Sequence, residues 1–265
     1  MKKYLVIGNP IEHSLSPRIH NYWFKKNNIN AVYEKKLVKK DEIEKFIKKL
    51  KNKEIDGINV TVPFKKVVIP FLDQLTTEAR ITQSVNTISI ENGKLVGHNT
   101  DVAGFELAIR YIKFDVGKKN ILIIGAGGVV PSIIYSLKKM KANTISLINR
   151  TKENAEEIKK NFKEIEILNW GEKYDFDMII NATSVGLNKE DKIDLKIENF
   201  GKNKFFYDVI YKPSRTSFLN QASLFQNQIE NGKMMFIYQA HQAFFIWHKL
   251  LPKIDQDVMN LIDHD

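Results

Sequence analysis

Short apolar runs alternate with amphipathic stretches along the whole chain, and the hydrophobic period switches between them. Tyr4-Leu-Val-Ile reads as a buried strand, after which Pro17, pre-set for a helix's first turn, opens a helix over Arg18 to Asn27. Ala31 to Leu37 predicts a second strand. Ile43, Phe46, Ile47 and Leu50 then recur at i, i+3, i+4 and i+7, the spacing of one helix face. Gly57-Ile-Asn-Val-Thr-Val predicts a third strand, stopped by Pro63. Glu91-Asn-Gly-Lys, set between Thr87-Ile-Ser-Ile and Leu95-Val-Gly, carries the signature of a hairpin turn. In the second half, strands are expected at Ile121 to Ile124, Thr144 to Ile148, Met178 to Ala182 and Lys204 to Val209. A helix is expected over Val129 to Leu137, and a long apolar one from Phe236 to Leu251. Strands alternating with helices in this way specify an α/β protein with parallel strands.

Ile121-Leu-Ile-Ile-Gly-Ala-Gly-Gly-Val-Val combines a buried strand, a glycine turn and the start of a helix. Gly125 and Gly127 let the backbone turn tightly and approach a ligand. A helix N-terminus presents N–H groups and a positive dipole end, which suits the pyrophosphate of a dinucleotide. Val130 stands where the dinucleotide fingerprint has its third small residue. The next strand ends in Asn149-Arg150-Thr151, where NAD-binding folds carry an acid roughly 20 residues past the glycines. An arginine there suits the 2′-phosphate of NADP, which an acid would repel. Because this unit begins mid-chain, roughly 100 residues of α/β structure precede it. The expected organisation is an N-terminal α/β substrate domain, residues 1–101, completed by residues 236–265 as the C-terminal helix returns to it. Residues 102–235 form a Rossmann-type, doubly wound NADP domain.

With 265 residues and 43% hydrophobic content the chain can build two ordinary cores, which excludes disorder. It has no cysteine, so disulfides, thiolate nucleophiles and cysteine-ligated zinc are excluded, and no spacing of the other ligand types resembles a metal site. No apolar run approaches the roughly 20 residues of a membrane span. Met1-Lys-Lys-Tyr-Leu-Val-Ile-Gly is too short in apolar length for a signal peptide, so a cytoplasmic protein without a membrane partner is expected. The net charge of +10 raises the question of nucleic acid. Only five of the 41 basic residues are arginine (Arg18, Arg80, Arg110, Arg150, Arg215), the side chain that supplies bidentate base contacts. The lysines are interleaved with acids on helix faces, a solvated coat, and no nucleic-acid partner is expected. A positive field still favours an anionic substrate or cofactor.

Polar clusters sit at predicted strand ends, where open α/β sheets bind ligands. In His13-Ser-Leu-Ser-Pro17, Ser14 and Ser16 either donate together to a carboxylate or cap the following helix. In Asn59-Val-Thr-Val-Pro-Phe-Lys65, Asn59 and Thr61 share a face, and Lys65 is either a surface charge or part of a site. Asn86 lies in Ser84-Val-Asn-Thr, and Asp101 ends His98-Asn-Thr-Asp. Asp101 either caps the next helix or holds a lysine for proton transfer. Oxidising a secondary alcohol removes a hydride and a proton from one carbinol, and a lysine–carboxylate pair supplies the proton's path. His241 and His248, seven apart on an apolar helix, point to core packing or capping, and His20 to a helix surface.

In order along the chain come Gly-Asn-Pro-Ile-x-His-Ser-x-Ser-Pro, Asn-Val-Thr-Val-Pro-Phe-Lys, Ser-Val-Asn-Thr, Asn-Thr-Asp-x-x-Gly and Gly-Ala-Gly-Gly. Asn-Arg-Thr, Asn-Ala-Thr-Ser-Val-Gly, Tyr-Asp-Val-Ile-Tyr-x-Pro and Gln239-Ala follow. This series resembles the shikimate dehydrogenase family across nearly the whole chain. The resemblance implies a two-domain enzyme, monomer or homodimer, that interconverts 3-dehydroshikimate and shikimate with NADPH on the route to chorismate and the aromatic amino acids. It implies that Ser14 and Ser16 bind the substrate carboxylate and that Asn59, Thr61, Asn86, Tyr211 and Gln239 also contact substrate. Lys65 and Asp101 would be the catalytic pair. Gly125, Ala126, Gly127, Gly128 and Val129 would cradle the pyrophosphate, and Asn149, Arg150 and Thr151 would hold the 2′-phosphate. Ala182, Thr183, Ile210 and Met234 would line the adenine or nicotinamide region. Asn154 departs from the family, which commonly has a second arginine there, and Met234 stands where glycine is usual. Competing readings are an NAD-using quinate/shikimate relative and a non-catalytic NADP-binding regulator; the presence of both Lys65 and Asp101 argues against the latter.

Overall fold

The computed structural model describes residues 1–188 and 190–263. The first half runs β1 (Lys2–Gly8), α1 (Ser16–Lys26), β2 (Ala31–Leu37), α2 (Ile43–Lys51), β3 (Gly57–Val60), β4 (Gln74–Leu75), α3 (Thr77–Thr82), β5 (Thr87–Glu91), β6 (Lys94–His98) and α4 (Thr100–Tyr111). The second runs β7 (Asn120–Ile124), α5 (Val130–Lys139), β8 (Thr144–Ile148), α6 (Lys152–Asn161), β9 (Glu166–Ile167), β10 (Met178–Asn181), β11 (Phe205–Asp208), α7 (Ser217–Leu224), β12 (Gln228–Glu230), α8 (Lys233–His248) and α9 (Gln256–Asp263). The chain divides into two compact units, Met1–Gly104 with Ile237–Asp265, and Phe105–Phe236. Among the described residues no helix is long and apolar enough to cross a membrane.

The first unit's sheet has the order β2-β1-β3-β5-β6-β4. Strands β1, β2 and β3 are parallel, but β5 runs antiparallel to β3 and β6. The sheet is therefore mixed. Its departure from the parallel pattern comes from the two-residue turn Asn92-Gly93, where both residues have positive φ (50° and 78°) and fold β5 back onto β6. The predicted face of α2, Ile43, Phe46, Ile47 and Leu50, packs in one core with Leu5, Ile58 and Val60, each fully buried aliphatic side chain contributing about 1.5–3 kcal/mol. From Ile237 onward α8 is part of this unit, with Ala240, Ala243 and Phe244 buried and Trp247 Nε1 donating to the Ile88 carbonyl of β5 (3.1 Å).

That returning helix overturns the expectation for His20. The residue is fully buried, because it lies on the same stripe of α1 as Ile19, Trp23 and Phe24 and α8 covers that stripe. Its ring stacks on Tyr33 (centroids 4.3 Å, interplanar angle 2°) and meets Trp23, Phe244 and Trp247. Neither ring nitrogen has a hydrogen-bond partner among the described residues, and burial depresses its pKa to about 3, so the ring is neutral. His241 bonds the Pro252 carbonyl through Nε2 (2.8 Å), and His248 packs against Tyr4 and Phe24.

In the second unit all strands are parallel, in the order β12-β11-β10-β7-β8-β9. Counted from β7 this is the doubly wound 3-2-1-4-5-6 order, whose switch point lies between β7 and β10. Ligands of such sheets bind outside the strand C-termini at that point, which is where the glycine turn after β7 stands.

Candidate active site

Where β3 ends, Thr61 N–H bonds the Ile7 carbonyl (2.9 Å) and Phe64 N–H closes a turn onto the Thr61 carbonyl (2.9 Å). The Phe64 ring anchors this turn in the core. The Lys65 carbonyl accepts Val85 N–H (2.9 Å), tying the lysine to the segment that carries Asn86. Lys65 Nζ then meets the Asp101 carboxylate at 2.5 Å, with the two side chains only 13% and 8% exposed. This is no surface charge. Nor does Asp101 cap α4: Asn99 does, accepting Asp101 N–H on its Oδ1 (3.1 Å), which leaves the Asp101 carboxylate to Lys65 and Asn86.

Asn86 gathers the cluster. Its Nδ2 donates to Asp101 Oδ1 and Thr100 Oγ1 (2.9 Å each) and lies 3.5 Å from Gln239 Oε1 on α8. Its Oδ1 accepts Thr100 N–H (2.8 Å). Leu15 occupies the N-cap of α1, so Ser16 does not cap that helix; Ser14 donates to Ser16 Oγ (3.3 Å) and its own Oγ accepts the N–H of Ser16, the first helical residue (3.4 Å). Asn59 departs from expectation. Both of its amide hydrogens go to the protein, one to the Asn86 carbonyl and one to Thr87 Oγ1 (2.9 Å each), while its Oδ1 accepts the Tyr33 hydroxyl (2.6 Å). It braces Asn86 and has no donor left for a substrate. Tyr211 belongs to the second unit, where its ring stacks on Phe236 (centroids 4.6 Å).

In that unit β7 is followed directly by Gly125, whose φ of +104° suits glycine; a Cβ there would also lie 2.9 Å from the Ala182 carbonyl oxygen. Gly127 and Gly128 are exposed, Ala126 and Val129 half-buried, and Val130 fully buried in the core. A Cβ on Gly127 would meet only the Ala182 carbonyl oxygen, at 3.7 Å, so the backbone there is open to close approach. The helix itself offers less than expected. Val130 N–H bonds the Gly127 carbonyl (3.0 Å), Ser132 and Ile133 N–H bond the Val129 carbonyl (3.0 and 3.1 Å), and Pro131 has no N–H. An anion here meets the turn and the dipole of α5 more than the helix's own amides.

After β8, Asn149 Nδ2 donates to the Thr151 carbonyl (2.6 Å) and shapes the loop, while Arg150, Thr151 and Asn154 are exposed around the start of α6. No acid occupies Asn149, Arg150 or Thr151, so one guanidinium, the neutral neighbours and the glycine cradle together fit NADP. Ala182 and Thr183 follow β10, Ile210 follows β11, and Met234 is buried at the start of α8. Both loops hang on a residue that sequence reasoning passed over. Asp208, fully buried, accepts Asn181 Nδ2 (3.1 Å to each oxygen), Ile210 N–H (3.0 Å) and the Thr216 hydroxyl (2.6 Å). Asn181 Oδ1 in turn accepts the N–H and hydroxyl of Thr183 (3.0 and 2.7 Å). Burial pushes the Asp208 carboxyl up, and these hydrogen bonds oppose it. Its signal in the sequence is an acid closing the otherwise apolar strand Phe205-Phe-Tyr-Asp.

Residues 6–88 match the family model of the shikimate dehydrogenase substrate binding domain, and residues 106–206 that of shikimate / quinate 5-dehydrogenase. The NADP(+) shikimate dehydrogenase of Pelagibacter ubique is 56% identical over 262 residues, 99% of each chain. The crystal structure of shikimate dehydrogenase from Aquifex aeolicus is similar at a TM-score of 0.91 and 36% identity, covering 100% of this chain and 98% of the other. A Thermus thermophilus shikimate 5-dehydrogenase solved with NADP(H) and shikimate is similar at a TM-score of 0.89 and 26% identity, covering 99% of this chain and 97% of the other. The fold, the order of motifs and these likenesses over full length agree: the chain belongs to the shikimate dehydrogenase family.

Proposed function

We propose that this chain interconverts shikimate and 3-dehydroshikimate with NADP+ and NADPH in the cytoplasm, on the route to chorismate. The observation that carries the reading is the Lys65–Asp101 pair, almost out of solvent and bonded to Asn86. Alcohol oxidation needs a group that takes the hydroxyl proton as the hydride departs, and returns one to the carbonyl oxygen in reduction. A lysine and a carboxylate in contact can do this without moving net charge far. Ser14 and Ser16 hold the substrate carboxylate, Thr61, Asn86 and Gln239 orient the ring hydroxyls, and Tyr211 is a further substrate-binding residue. Asn59 acts behind Asn86. NADP+ bound at the glycine turn supplies the hydride acceptor. Gly125 to Val129 receive the pyrophosphate, Asn149, Arg150 and Thr151 hold the 2′-phosphate, and Ala182, Thr183, Ile210 and Met234 line the remainder. The test is a steady-state assay of shikimate and of quinate, each with NADP+ and with NAD+. Shikimate with NADP+ should have the highest kcat/KM, and no NADPH absorbance from neutral to alkaline pH would overturn the reading.

A further inference from the structure

Tyr33 lies outside the Lys65–Asp101–Asn86 cluster. It lies on β2, opposite Tyr4 of β1, is 1% exposed, and is held flat against His20. Its hydroxyl passes beneath β1 to reach Asn59 on β3, two strands away, a span of about 9.6 Å that suits the length of a tyrosine. Burial holds the phenol proton well above its ordinary range, so the hydroxyl remains a donor. On one side stands Ser16, whose hydroxyl bears on the phenol and opposes the effect of burial on its proton. On the other it donates to Asn59 Oδ1 (2.6 Å). Asn59 donates to Thr87 Oγ1 (2.9 Å), Thr87 to Asn86 Oδ1 (3.2 Å), and Asn86 to Asp101 Oδ1 (2.9 Å), whose other oxygen holds Lys65. From Tyr33 to Asp101 every link donates in the same direction, and on the other side of Ser16 the Ser14 hydroxyl donates to it. Aligned bonds of this kind polarise one another in a low-dielectric interior.

We propose that Tyr33 is a positioning residue, which sets the serine pair through Ser16 and the Asn86–Asp101–Lys65 cluster through Asn59 and Thr87. A substrate carboxylate then arrives at hydroxyls already ordered relative to the proton-transfer pair. The inference rests on the roles proposed above for Ser14, Ser16, Lys65 and Asp101.

Tyr33→Phe tests it, because the ring and its stack on His20 stay while one hydroxyl goes. The variant should lose about tenfold in kcat/KM for shikimate, shared between kcat and KM, with the KM for NADP+ held within about twofold. Thr87→Val cuts the same run of bonds farther along and should do likewise. Because both act through one path, the double variant should lose no more than the worse single one. Unchanged kcat/KM with a lowered melting temperature would overturn the proposal, as would an equal rise in the KM for NADP+ or losses that multiply. Should Tyr33→Phe fail to fold, Ser16→Ala combined with Thr87→Val probes the two flanks of Tyr33: losses that do not multiply support it, and losses that do overturn it. Wild-type protein inactive on shikimate would overturn the function as well, whereas active wild type with an unimpaired Tyr33→Phe overturns this inference alone.

Discussion

In the first unit the polar side chains at the strand ends are buried and bonded to one another, while in the second the glycine turn and the loop after β8 lie open. Asn86, Asp101 and Asn59 are all nearly inaccessible, and Lys65 is held from both its carbonyl and its ammonium. Gly127, Gly128 and Arg150 are exposed. Proton transfer demands that groups stay within hydrogen-bond reach of one another through every turnover, and a packed polar network fixes them there. A cofactor that must enter and leave is better met by backbone shape and one flexible cation. The difference implies that damage to the first unit's network falls on rate, and damage to the second unit's turn falls on cofactor affinity and choice.

The largest effect should come from Lys65→Ala. General acid–base groups contribute roughly 10²–10⁴-fold, so kcat should fall by that order while the KM for shikimate changes little. A rise in KM with kcat intact would make Lys65 a binding group and erase the contrast between the units. Asp101→Asn, which keeps the shape but removes the charge facing Lys65, should also slow turnover, and wild-type turnover in that variant would remove Asp101 from the chemistry.

Cofactor choice comes next. A hydrogen bond to a charged group contributes about 1.5–3 kcal/mol, so Arg150→Ala should lower kcat/KM with NADP+ by roughly 10–100-fold and leave NAD+ almost untouched. Asn154→Arg, supplying a second guanidinium near the start of α6, should raise NADP+ preference by less, because the site is exposed and screened. Equal use of both cofactors by the wild type would defeat the NADP assignment.

The same contrast explains what was legible in the sequence. The turn after β7 is a local, contiguous feature, so its strand, glycines and following helix are read directly from spacing. The hairpin at Asn92-Gly93 is equally local, although its effect on the sheet, an antiparallel insertion, depends on partners brought from elsewhere. The first unit's network joins β2, β3, β5, α4 and α8, and no spacing reports who meets whom. Ser16, Lys65 and Asp101 each carried two readings from sequence; the positions of Leu15 and Asn99 in the fold argue against capping by Ser16 and Asp101, and the buried contact with Asp101 argues against a surface charge for Lys65. His20 was misplaced for the same reason, since the helix that buries it returns more than 200 residues later. Asn59 sits on the right face but is already engaged by Tyr33, a residue no motif includes.

A smaller effect separates two glycines of one turn. Gly125→Ala forces a side chain into a φ of +104° and against the Ala182 carbonyl, at a cost of about 1–3 kcal/mol, read as a lower melting temperature. Gly127→Ala meets only ordinary contact and should leave the melting temperature unchanged, while weakening NADPH binding in a nicotinamide fluorescence titration. Equal melting shifts in the two variants would contradict this account of the turn.

The smallest effect concerns acid, and it should have opposite signs in the two units. His20 is neutral in the folded first unit, with its pKa depressed from 6.5 to about 3. Between those values the unfolded chain binds a proton that the folded chain refuses, so stability rises with pH and is lost on acidification. From pH 7 to 5.5 this amounts to about 1 kcal/mol, a fall of roughly 2–4 °C in melting temperature. His248, depressed to about 4 by burial, adds to the same slope. Asp208 in the second unit runs the other way. Its pKa is raised, so above 3.8 the folded state holds a proton more readily than the unfolded state, and acid lends that unit stability. Hydrogen exchange at pH 5.5, compared with pH 7 after correction for intrinsic rates, should therefore speed up in α1 relative to β10 and β11. His20→Phe, which keeps an aromatic ring against Tyr33, should flatten the response of α1. Uniform change across both units, or none, would show that the buried neutral imidazole does not set the acid response of the first.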